Sequence, residues 1–79
     1  MTLYKNYNLV DDIDIIIELA NDCYSDVAKL LDTIRNQEKL PALIHYLESL
    51  TISFPGHNID DFLYFLHINN RSIRSYLKL

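Results

Sequence analysis

From Leu9 to Ile34 apolar residues at 9, 13, 16, 17, 20, 24, 27, 31 and 34 form a series in steps of three and four with one adjacent pair. That spacing is a single stripe on a helix, not the alternation of a strand. No Gly or Pro interrupts it before Pro41. Two readings fit residues 9–37. One is a single long helix; the other is a helical hairpin turning around Asp22–Tyr24, with Ser25 capping its second arm. Asn21, Asp22 and Ser25 are poor interior helix residues, which favours the break. Residues 1–8 show no period and read as an irregular lead-in.

Leu40-Pro41 marks the next boundary, because Pro is favourable in the first turn of a helix. Leu43, Ile44, Tyr46, Leu47 and Leu50 then predict a helix over 41–50. The segment 51–57 reads as a loop, with Pro55-Gly56 as its turn. Asn58 is placed to cap a helix running from Ile59 to about Leu66. His67-Ile68-Asn69 then makes a short break, and Asn69 caps a last helix to the end of the chain. Residues 58–79 thus read as a helix-turn-helix. Phe62 and Leu66 supply the inner face of its first helix, Ile68 an apolar plug in the turn, and Ile73, Tyr76 and Leu77 the inner stripe of the second.

Composition agrees with an all-α fold: a small helical bundle with a C-terminal helix-turn-helix, one domain over residues 1–79. A single Gly and two Pro in 79 residues are too few for the turns of a β-sandwich or barrel. Six Tyr and three Phe argue against disorder. A chain this short buries only about 60% of the surface it would expose unfolded, so a homodimer is expected. Cys23 stands alone, which excludes an internal disulfide, points to a reducing, cytoplasmic setting and marks the thiol as core packing. The apolar runs are far shorter than the roughly 20 residues of a membrane span, and no signal peptide is visible.

The net charge of −4 is unevenly distributed. Asp11, Asp14, Glu18 and Asp22 share one face of the first helix, which predicts either a solvated face or a surface for a protein partner. Residues 67–79 hold Arg71, Arg74 and Lys78 and no acid. Arg71, Arg74, Ser75 and Lys78 lie at i, i+3, i+4 and i+7, within about 100° of helical arc and opposite Ile73 and Leu77. A helix that enters the major groove needs this arrangement, because Arg and Lys pair with guanine edges and all of these side chains reach phosphate.

The pieces LPALIHYLESL and NIDDFLYFLHINNRSIRSYLKL resemble the helix-turn-helix core of winged-helix regulators, of the antiterminator and Mga-like type of low-GC bacteria. The resemblance covers residues 40–79. It implies sequence-specific binding of double-stranded DNA, with Arg71, Ser72, Arg74, Ser75 and Lys78 on the recognition helix. Leu63 fills a slot that this pattern usually gives to a small residue, and His67 stands where Gly is common. The expected function is a small bacterial, phage or plasmid transcription regulator that binds DNA as a dimer. The alternative is an interaction protein that docks its acidic N-terminal helices on a partner. His45, His57 and His67 lack metal-ligand spacing, and no phosphate-binding Gly-rich loop or catalytic motif is present. No cofactor, metal or enzymatic activity is expected.

Overall fold

A computed structural model describes residues 7–51 and 59–79. Among them the chain forms five helices: α1 (Ile13–Cys23), α2 (Ser25–Asn36), α3 (Leu40–Ser49), α4 (Ile59–Ile68) and α5 (Asn70–Leu77). None of them is long and apolar enough to cross a membrane. The Cα radius of gyration, 11.6 Å, is that of a close-packed bundle of this length.

The N-terminal stripe is a hairpin. Tyr24 alone separates its arms, in an extended conformation at φ −140° and ψ 98°. Its N–H closes α1 on the carbonyl of Ala20 at 2.6 Å, and its own carbonyl opens α2 by accepting from Val27 and Ala28. Tyr24 is therefore the N-cap. Ser25, read as the cap, lies inside the first turn of α2 and makes no capping hydrogen bond. Ahead of α1, Asn8 Oδ1 accepts from the N–H groups of Val10 and Asp11, while Asp12 Oδ2 accepts from the N–H of Asn8. This reciprocal pairing ties down the turn that leads into α1. Asp11 consequently sits in the turn before α1 and outside the acidic row assigned to it.

α2 is the axis of the bundle. It touches each of the other four helices, and Val27, Ala28, Leu30, Leu31 and Ile34 are all buried. Around it gather Ile13, Ile16 and Ala20 of α1, Leu43 and Leu47 of α3, Phe62, Leu63 and Leu66 of α4, and Ile73 and Leu77 of α5. No polar side chain is buried among the described residues. The bundle is thus held by apolar packing, with polar groups confined to its rim.

With so little glycine, the chain ends its helices on other residues. Glu38, Thr51 and Lys78 take positive φ, between 56° and 58°. After α2, Lys39 N–H bonds the carbonyl of Ile34 and Glu38 N–H that of Arg35, the paired bonds of a Schellman motif. A left-handed residue with a Cβ is strained by roughly 1 kcal/mol or more, which glycine avoids while losing more backbone entropy on folding. Glu38→Gly is therefore expected to stabilise the chain by about 0.5–1 kcal/mol, seen as a higher urea midpoint with an unchanged slope.

The expected Asn58 cap and the loop after Thr51 lie outside the described residues. At the other end of α4 the break is narrower than the sequence implies. His67 and Ile68 remain helical, and only Asn69 leaves the helix, at φ −108° and ψ 17°. Asn69 precedes α5 as expected, but its side chain donates back to the carbonyl of Phe65 at 3.0 Å instead of capping the new helix.

Candidate nucleic-acid interface

α5 is only eight residues long, below the length at which an isolated helix holds together in water. Tertiary contacts must therefore keep it in place. Ile73 and Leu77 anchor it in the core. At its start Asn70 Nδ2 donates to the backbone carbonyl of Asp26 on α2 at 3.4 Å, and Asn70 Oδ1 accepts from Arg74 Nε at 2.8 Å. At its end Lys39 Nζ donates to the carbonyl of Leu77 at 2.6 Å and to that of Lys78 at 3.3 Å.

The five residues expected on the outer face divide in three ways. Arg71, Ser72 and Ser75 are exposed on the side away from Ile73 and Leu77. Arg74 is half-buried and braced by Asn70. Lys78 falls outside α5 in a left-handed conformation, so it leaves the helical register that placed it with Arg71 and Arg74.

Two inner slots are corrected. Ile68 is 59% exposed and plugs nothing, because α4 runs through it and turns it away from Leu66. Tyr76 is 50% exposed and lies beside the inner stripe, its ring 4.7 Å from that of Tyr46 on α3. Leu63, by contrast, is buried at 1% exposure. His67 is helical, within α4. Its ring stacks on Tyr24 at 4.4 Å, and its Nδ1 pairs with the carboxylate of Asp26 at 2.9 Å. The contact clasps the end of α4 to the hairpin.

The acidic residues proposed for a partner form a shorter row. Asp14, Glu18 and Asp22 share a face of α1, all exposed. Asp14 is paired with Arg35 of α2, whose second nitrogen holds Asp32 at 2.6 Å. Glu18 borders a shallow groove of about 270 Å³ with Ile17, Asn21, Ala28, Lys29 and Asp32. That volume is below the range of most small-molecule sites. Among the described residues no three His, Cys, Asp or Glu side chains gather as metal ligands. Cys23, read as core packing, is exposed.

Spacing along the chain missed Lys39, the bond from Asn70 to the carbonyl of Asp26 and the clasp of Tyr24, Asp26 and His67. All three join residues far apart in sequence. Among protein-family models, curated proteins and solved structures, none matches the chain.

Proposed function

We propose that this chain is a small DNA-binding transcription regulator, working in the cytoplasm as a homodimer. In this reading α4, Asn69 and α5 act as a helix-turn-helix that lays α5 in the major groove. Arg71 and Arg74 contact guanine edges or phosphate, Ser72 and Ser75 add hydrogen bonds, and Lys78 neutralises phosphate at the end of the helix.

The observation that carries this reading is Arg71. It is exposed in the first turn of α5, where a cation opposes the helix dipole by several tenths of a kcal/mol. Folding gains nothing from it there, and it has no ion-pair partner among the described residues. A groove-facing role accounts for the position.

Salt-titrated binding to a random-sequence duplex tests the electrostatic term that all such proteins share. Binding is expected at low salt, with log K falling linearly against log salt at a slope near −0.9 for each phosphate neutralised. Absent binding, or a flat slope, would refute the reading.

A second reading, a protein-binding adaptor, draws on two facts. Tyr64 and Ile68, 52% and 59% exposed, stand one turn apart on the outer face of α4, and the net charge of −4 is opposite to that of most DNA-binding domains. The same titration separates the two, since an adaptor of this charge gives no salt-dependent attraction to DNA.

A further inference from the structure

Lys39 stands where three helices end or begin. Its N–H closes the Schellman motif of α2 on the carbonyl of Ile34, and its carbonyl accepts from Leu43 N–H in the first turn of α3. Its side chain crosses to the C-terminus of α5 and donates to Leu77 and Lys78. There the carbonyls of Arg74 and Ser75 are already taken, by Leu79 N–H and Lys78 N–H. The ammonium thus completes the end of the helix, and its charge sits where the dipole favours a cation. The left-handed turn at Glu38 directs the chain from α2 into Lys39.

From this we infer that Lys39 is a positioning residue for the DNA-binding helix: it sets the pose of α5 from outside, and its charge is spent on protein carbonyls instead of DNA phosphate. The inference rests on the DNA-binding reading and adds to it a division of labour among the cations. Arg71 and Arg74 are assigned to the ligand from α5, and Lys78 from the left-handed residue beyond it; Lys39 holds the helix that carries the two arginines. α5 is eight residues long and cannot hold its own geometry. A loosened C-terminus would let its basic face swing, so affinity would fall without loss of any phosphate contact.

Two measurements on the full chain separate this from a direct DNA contact. One is hydrogen exchange of the α5 amides in the free protein, with the amides of α1 as internal reference. The other is the salt dependence of binding to a random-sequence duplex. Lys39→Met is expected to speed exchange in the last turn of α5 by about tenfold and leave α1 unchanged, a loss in keeping with a hydrogen bond to a charged group. It should weaken DNA binding about three- to tenfold with the salt slope unaltered. Lys39→Arg, which keeps charge and donors, should restore both. Arg71→Ala should instead lower the slope by about one and leave α5 exchange as it was.

If Lys39→Met proves too unstable to assay, Lys39→Gln keeps a donor without the charge and should show the same pattern more weakly. A slope that falls by about one in Lys39→Met, with α5 exchange unchanged, would overturn the inference and place Lys39 on phosphate. Unchanged exchange with unchanged affinity would overturn it as well. Wild-type protein that binds no duplex at low salt would remove the underlying reading, and the exchange result would then stand for the anchor alone.

Discussion

Leu63→Ala is expected to destabilise the chain by about 2–5 kcal/mol, the range for a fully buried leucine cut back in a core that closes only partly over the cavity. Leu63 is among the most deeply buried side chains of α4, flanked by the buried Phe62. For 79 residues the whole stability is on the order of 4–12 kcal/mol, so this one change would remove a large share of it. The result also bears on the resemblance to winged-helix regulators, whose pattern usually sets a small residue here. If α4 and α5 could close up as that pattern implies, alanine would be tolerated with a loss below about 1 kcal/mol. Urea unfolding followed by circular dichroism decides between the two. Leu63→Met, which keeps the volume, should lose less than about 1.5 kcal/mol and shows that volume is what matters.

The second large effect concerns the ligand. Replacing both Arg71 and Arg74 by Ala should weaken binding to random-sequence duplex about a hundredfold at 0.1 M salt. Each phosphate contact contributes about 0.9 to the slope of log K against log salt, hence about tenfold at that concentration relative to 1 M. The two single variants are expected to differ in kind. Arg71 is exposed and set against the helix dipole, so Arg71→Ala should leave stability unchanged or raise it by a few tenths of a kcal/mol. Arg74 is braced on Asn70, which in turn reaches Asp26, so Arg74→Ala should loosen the start of α5 as well as remove a charge. Fluorescence anisotropy at several salt concentrations, with a melting curve for each variant, reads both effects. A double variant that binds as tightly as the wild type would remove α5 as the interface.

The helices themselves were legible in the sequence because burial repeats along a helix every three to four residues. The link between α1 and α2 was ambiguous for a definite reason. Tyr24 keeps the apolar spacing of the stripe, so the period continues through a residue whose backbone has left the helix. Ile68 was misplaced by a similar confusion. An apolar residue near the end of a helix suggests a plug only if the chain turns before reaching it. With α4 helical through Ile68, two residues past Leu66 is a rotation of about 200°, which faces outward. Lys78 fell out of the basic row because the final turn winds left-handed there, and an i, i+3, i+4, i+7 spacing does not reveal where a helix stops. Lys39 was beyond the reach of any spacing rule. Its partner lies 38 residues away, and only packing brings the two together.

The single-residue link at Tyr24 also sets an order of assembly. α1 and α2 are neighbours in sequence as well as in space, so their pairing closes a very short loop and loses little chain entropy. The tethers of α5 close loops of 38 and 44 residues, from Lys39 to Leu77 and from Asp26 to Asn70. A nascent chain would zip the hairpin while its last helix was still being made, and α5 would dock onto a platform already in place. Run backwards, the same sequence makes α5 the first element to peel away, at a free energy below that of global unfolding. On the DNA-binding reading, the ordered basic face would then exist only on molecules that have finished folding.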